Sequence, residues 1–352
     1  MDAIHQVVSL SDLDRFCRQI LAACGANDET CEATTRAMMH ATRCGVDSHG
    51  VRLLDHYVKA LEGGRLNKTP VMKKASGFGA VETLDGDHAQ GAVPAYAAMK
   101  KAIELARQFG IGAVGIRNSS HFGAAGAYSV EAARQGLIGL SFCNSDSFVR
   151  LHDGAARFHG TNPISMAVPI AGEDPWFLDM ATSAVPFNRV LLYRSTGTTL
   201  PEGVASDAAG LDTTDANLTE MLAPVGAAFG FKGAALAGIA EIFSAVLTGM
   251  RLSFDIPPMN GEDMKTPRQL GAFVMAILPE AFGDRATFEA GMKRYVETLR
   301  TSPAREGATV MAPGDREWKV ASHRNAHGVE LDPVTRQAFH ELSGRYGVPM
   351  PA

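Results

Sequence analysis

The sequence predicts an α/β protein with an all-helical beginning, and three observations carry that reading. Between Val81 and Cys143 short β-type runs alternate with helix-length ones: a β run at Val81, a helix over 94–109, a strand over 113–117, a helix over 124–135 and a strand over 137–143. Before Val81 the texture is helical. Ser9 or Ser11 can cap an amphipathic helix running to about Cys24, and Asn27-Asp28 can cap a second that ends before Gly45. A third, over 51–62, stops at Gly63-Gly64. Finally, 352 residues exceed the roughly 250–300 at which a single core stops growing, so a large domain with one or two smaller partners is expected.

After Asn144 come β runs over 164–168 and 176–180, then a looser Gly- and Asp-rich stretch through Asp215. A helix over 233–248, a Pro- and Gly-rich loop over 257–261, a β run over 272–278, a helix over 288–301 and a final helix over 333–343 complete the chain. The net charge of -5, without a run of Lys and Arg, argues against a nucleic-acid partner. Five cysteines without a Cys-x-x-Cys pair read as reduced, buried thiols, and no secretory signal is visible in residues 1–5, so a cytoplasmic protein is expected. The only membrane-like run, 233–250, carries Glu241 and several glycines, and reads as a buried helix rather than a membrane span.

Gly110, Gly112 and Gly115 match the dinucleotide fingerprint Gly-x-Gly-x-x-Gly in the wrong context. That fingerprint needs a strand before the first glycine and a helix opening at the last. Here Gly110 follows a helix as its C-terminal cap and Gly115 lies inside the next strand, so a Rossmann fold is rejected.

The chemistry concentrates in two histidine-bearing turns, Asp47-Ser48-His49-Gly50 and Ser119-Ser120-His121-Phe122-Gly123, upstream of Gly160-Thr161-Asn162-Pro163. Imidazole gives or takes a proton near neutrality, and small flanking residues let a ligand approach, so two such turns point to one shared oxidoreductase site. Each histidine has a plainer reading, as a solvated or helix-capping residue. Adjacent Asp47, Ser48 and His49 cannot stack into a hydrolase triad, and there is no Gly-x-Ser-x-Gly elbow. Phe229-Gly230-Phe231-Lys232-Gly233 can present N–H groups and a lysine to a pyrophosphate, or simply pack a helix closely through its glycines. Asp179-Met180-Ala181-Thr182-Ser183 can meet a cofactor or cap a helix. His152 and His159 complete no metal-ligand set with His49 and His56, so no metal is expected.

In their order and spacing, Asp47-Ser48-His49-Gly50, Arg117-Asn118-Ser119-Ser120-His121, Gly160-Thr161-Asn162-Pro163, Asp179-Met180-Ala181-Thr182 and Phe231-Lys232-Gly233 together resemble the non-Rossmann malate/L-lactate dehydrogenase family over nearly the whole chain. The resemblance implies a largely antiparallel central sheet, a helical N-terminal domain over 1–75 packed with C-terminal helices over 315–352, and a cofactor- and substrate-binding domain over 76–314. It implies NAD or NADP, a small carboxylate substrate and a homodimer. It places His121 as acid–base, with His49 and Ser48 beside it. Ser145, Asp179, Met180, Ala181, Lys232, Gly233, Pro313 and Gly314 fall on cofactor-contacting positions, and Thr161 and Asn162 on the loop beside them.

Departures bear on the substrate. Many relatives carry an arginine four residues after the first histidine, where this chain has Leu53; Arg52 and His152 are the candidates left for the carboxylate. A common Gly-Lys reads Asn188-Arg189, and a family tryptophan reads Val204, with Asp207 and Gly210 retained. The leading expectation is interconversion of a 2-oxo acid and its 2-hydroxy acid, of malate, lactate or ureidoglycolate type. The alternatives are a reductase of cyclic ketimines and a cofactor-binding protein that has lost catalysis.

Overall fold

The computed structural model describes residues 7–352; the N-terminal reading at residues 1–5 lies outside them. The chain opens with β1 (Val7–Val8), α1 (Leu10–Ala23) and α2 (Asp28–Arg43), then two single 3-10 turns, Asp47–His49 and Val51–Leu53, and α3 (Leu54–Gly63). There follow β2 (Lys73–Phe78), β3 (Val81–Asp85), α4 (Ala92–Phe109), β4 (Ile111–Ser119), α5 (Gly126–Arg134) and β5 (Ile138–Cys143). The middle of the chain forms β6 (Val149–Arg150), β7 (Arg157–His159), β8 (Ile164–Val168), β9 (Trp176–Met180), α6 (Phe187–Thr196), β10 (Ala205–Ser206) and β11 (Met221–Leu222). The rest is α7 (Gly230–Glu241), β12 (Leu270–Ile277), α8 (Arg285–Arg300), α9 (Asp315–His327), β13 (Val329–Glu330) and α10 (Pro333–Tyr346). The caps read from the sequence are made: Ser9 accepts from the Asp12 N–H, and Asn27 from the Thr30 N–H.

Seven strands form the central sheet in the order β2-β3-β4-β12-β5-β8-β9, antiparallel at every pairing except β3 with β4. The middle position belongs to β12, a late strand inserted between β4 and β5. Its run Leu-Gly-Ala-Phe-Val-Met-Ala-Ile is apolar on both faces, as a strand covered on two sides requires. On one side α4 and α5 cover the sheet, with Ala95, Ala98, Ala102 and Ala106 fully buried. On the other, Phe142 and Phe273 meet Phe243. Helices α1–α3 share a separate core with α10 and with β13, which pairs with β1.

The three fingerprint glycines serve this packing. Gly110 caps α4 at φ +86, a side chain at Gly112 would collide with the Ala102 carbonyl of α4, and Gly115 sits within β4. Three expectations need correcting. A strand, β2, precedes Val81, and α6 lies in the stretch read as loose. The helix over 233–250 is not buried all round: α7 and the wider π-type turn Ile242–Val246 hide only a stripe of small residues and Glu241, leaving Phe231, Ile239, Ile242, Val246 and Leu247 exposed. Small residues permit close approach on one face, and the large apolar ones turn outward.

Candidate active site

The two histidine turns meet. The rings of His49 and His121 stack with centroids 5.6 Å apart and 23° between planes. His49 stands in the 3-10 turn between α2 and α3; His121 follows the end of β4, ahead of α5. Each ring is held at its Nδ1: Ser48 Oγ lies 2.9 Å from that of His49, and Tyr57 Oη 2.8 Å from that of His121. Burial lowers the pKa of both, that of His121 farther because His49 and then Arg268 add their charges to it. Both imidazoles are therefore neutral near pH 7. Burial pushes the Tyr57 phenol up, so it remains a hydroxyl, a group that can donate to Nδ1 or accept from it.

Several residues that build this geometry carried no signal in the sequence. Gln90, almost fully buried, donates to the His121 carbonyl at 3.1 Å and accepts from the Ala92 N–H at 2.7 Å. Arg268 is the largest fully buried side chain; it pairs with Asp146 and donates to the Pro257 carbonyl at 2.9 Å. Asp146 also accepts from the Met259 N–H at 3.1 Å, so it ties the segment after Ser145 to the Pro- and Gly-rich loop. Arg65 holds the same loop through the carbonyls of Pro258, Met259 and Asp263. Tyr57 alone was within reach of sequence reasoning: it lies eight residues after His49, about two helical turns on.

The segments expected to meet a cofactor also converge. Thr161 N–H donates to Ser145 Oγ at 3.1 Å, Thr182 N–H to the Thr161 carbonyl at 2.9 Å, and Val225 N–H to the Thr182 carbonyl at 2.9 Å. Asp179, at the end of β9, accepts from the Gly126 N–H at the start of α5 at 2.8 Å. Burial pushes its carboxyl up to about 7, against that N–H, which favours the charged form. Pro313 accepts from the Phe177 N–H at 3.2 Å, and Gly314, at φ +96, lies against the Phe177 ring. Met180 and Ala181 are half-buried beside Asp179. Lys232 is exposed over the Phe229 ring at 5.2 Å, while Gly233 packs so closely on Val225 that a side chain would collide.

A dinucleotide fits these residues. At Gly123, φ +78, an added Cβ would lie in van der Waals contact with Tyr57 Oη at 3.9 Å and the His49 carbonyl at 4.0 Å, so this glycine lets the backbone turn close beside the histidine pair. Lys232, exposed in the first turn of α7, supplies a positive group for a phosphate.

Three sequence candidates are placed elsewhere. Asn162 is fully buried and spends its amide inside the protein, donating to the Ala237 carbonyl at 3.1 Å and to Glu241 at 2.8 Å, and accepting from the Ser145 N–H. It shapes the loop rather than reaching a ligand. Arg52 is tied by an ion pair to Asp332, the N-cap of α10, at 2.9 Å, which takes up the guanidinium proposed for the substrate. His152 lies against Phe231 and Gly230 at the start of α7. The Asn188 side chain lies outside what is described. Among the described residues no group of three His, Cys, Asp or Glu could hold a metal.

Comparison with known proteins gives the family. The family model for malate/L-lactate dehydrogenase matches residues 8–340. The chain belongs to the malate/L-lactate dehydrogenase family. Among curated members, the malate dehydrogenase of Pyrococcus abyssi is 32% identical, over 99% of this chain and 97% of that one. The (2R)-3-sulfolactate dehydrogenase (NADP(+)) of Chromohalobacter salexigens is 33% identical, over 91% and 93%. The crystal structure of malate dehydrogenase from Entamoeba histolytica superposes with a TM-score of 0.92 at 29% identity, covering 99% of each chain. This member of the family shares its non-Rossmann, mostly antiparallel sheet and is an oxidoreductase.

Proposed function

We propose that this enzyme interconverts a small 2-oxo acid and its 2-hydroxy acid with NAD or NADP, His121 moving the proton. The observation that carries this reading is the stacked histidine pair, hydrogen-bonded at both Nδ1 atoms. The nicotinamide, when bound, accepts or supplies the hydride at the substrate carbon. In the oxidative direction the hydroxyl proton passes to His121 Nε2 as the carbonyl forms; in reduction the same nitrogen returns it to the developing alkoxide. With Nε2 free to accept, the neutral ring carries its hydrogen on Nδ1 and keeps it once Nε2 is protonated, so Nδ1 donates to the Tyr57 hydroxyl oxygen in both states. Gln90 keeps the His121 backbone in place. His49, oriented by Ser48, lies over the other ring and orients the substrate. Ser145, Thr161, Asp179, Met180, Ala181, Lys232, Pro313 and Gly314 line the cofactor's course.

The test is absorbance at the reduced-nicotinamide band, with a panel of 2-oxo acids, cyclic ketimines and 2-hydroxy acids including ureidoglycolate. His121→Ala is expected to lower kcat by roughly 10²–10⁴-fold. Full activity in both His121→Ala and His49→Ala proteins would sink the reading, and turnover of ketimines alone would replace the substrate class. We also propose a homodimer. Its support is the outward apolar face of α7 and the following turn, which a second copy would cover.

A further inference from the structure

Away from the histidine pair, α2, α5 and α9 enclose a crevice of about 350 Å³ whose lining is basic. Arg36 and Arg43 come from α2, Arg134 from α5, and Ser322 and Asn325 from α9. Arg36 is committed, to Glu131 at 2.5 Å and to the face of Tyr96 at 4.5 Å. Arg43 and Arg134 have no carboxylate within 4.0 Å and no hydrogen-bond acceptor among the described residues; Arg134 lies only over the Trp318 ring, at 5.9 Å. The remaining carboxylate in the lining, Asp174, is exposed. Behind the arginines is His40, its pKa lowered to about 3 by burial and then by Arg134, Arg43 and Arg36. Two unpaired guanidiniums, a serine and an asparagine thus converge on one space. Guanidinium binds phosphate and carboxylate oxygens through paired N–H groups, so such a lining selects an anion.

The neighbourhood narrows the choice. Ala127 in the crevice wall follows Gly126, whose N–H holds Asp179. Trp318 donates its backbone N–H to the Gly314 carbonyl at 2.9 Å and packs at a tilt on Phe177, 4.9 Å between centroids. Phe177 in turn lies edge-on to His40, at 6.2 Å. The crevice therefore adjoins Asp179 and Gly314, positions given above to the cofactor.

We propose that this crevice is an anion site for a phosphomonoester, such as the 2′-phosphate that distinguishes NADP from NAD. A free phosphate compound is the other source of the same chemistry. The NADP assignment rests on the function proposed above; the anion site does not.

Calorimetric titration of the full-length protein with NADP, NAD, adenosine 2′-phosphate, adenosine and inorganic phosphate tests it, against an Arg43→Gln/Arg134→Gln variant. Both arginines are exposed, so the variant should fold. NADP and adenosine 2′-phosphate are expected to bind the parent about tenfold or more tighter than NAD and adenosine, a margin that shrinks to about twofold in the variant. If inorganic phosphate binds the parent equally with NAD or NADP in place, and the variant loses that binding, the anion site stands with a free phosphate as its occupant. Binding of all the phosphates to parent and variant within about twofold, or to neither, overturns the proposal. Failure of the proposed function shows separately, as absent turnover with either cofactor.

Discussion

A solvent-exposed imidazole titrates near 6.5, and burial lowers both His121 and His49 below it. For a base that must be neutral to accept the hydroxyl proton, the oxidative kcat/KM is flat above the lowered pKa and falls as pH drops through it. The acid limb is therefore expected below pH 6.5, since kcat/KM reports the free enzyme; a limb at or above 7 would contradict this environment. Tyr57→Phe removes the hydroxyl that Nδ1 uses in both states. It should lower kcat about tenfold or more with little change in KM, whereas a merely structural role would leave kcat near the parent value. Both histidines were legible in the sequence because their flanking small residues are contiguous. Gln90 and Arg268 were not, because each reaches the pair across tens to hundreds of residues.

At the level of elements, α7 acts as a strut through its one buried stripe. Its last residue, Glu241, accepts from the Asn162 amide at 2.8 Å, from the Ser253 N–H at 2.7 Å and from Ser253 Oγ at 2.5 Å, with Asn144 at 3.4 Å. One carboxylate so holds together the Gly-Thr-Asn-Pro loop, the segment after β5 and the turn that follows α7. Removing it leaves several buried donors unpaired, so Glu241→Ala should lose about 2–4 kcal/mol in urea unfolding. A loss under about 1 kcal/mol would mean that water replaces the carboxylate. The strand and helix positions around the site were largely readable from periodicity and caps. The burial of α7 was misjudged because its apolar residues run all round the helix, and only packing decides which stripe is covered.

For the whole molecule, burial couples stability to pH. Burial lowers His40 to about 3 and His56 to about 4, with neighbouring arginines adding to both shifts, and lowers His49 and His121 as well. A histidine held neutral in the fold takes its proton first in the unfolded chain. Stability from these groups is complete above about 6.5 and is lost as pH falls toward the folded values, at about 1.4 kcal/mol per pH unit for each histidine. Asp179 works the other way, its raised pKa favouring the fold as pH drops from 7 toward 3.8. Four histidines outweigh one carboxyl. The midpoint of urea unfolding should therefore fall steadily from pH 6.5 to 4.5, and a flat profile would refute the burial of the imidazoles. Light scattering should give twice the 37.3 kDa chain mass; a monomer would leave the α7 face to another occupant.

Local chemistry determined a good deal by itself: the caps of α1 and α2, the rejection of a dinucleotide fingerprint whose glycines follow a helix, and the two histidine turns as the proposed seat of chemistry. Those features depend on residues within a few positions of each other, so spacing reveals them. Only the tertiary structure decided that β12 divides β4 from β5, that His49 and His121 stack, that Arg52 belongs to Asp332 and that Asn162 faces inward. These outcomes depend on which distant groups come to share a low-dielectric space, where each polar atom must find its partner, and linear spacing does not encode that choice.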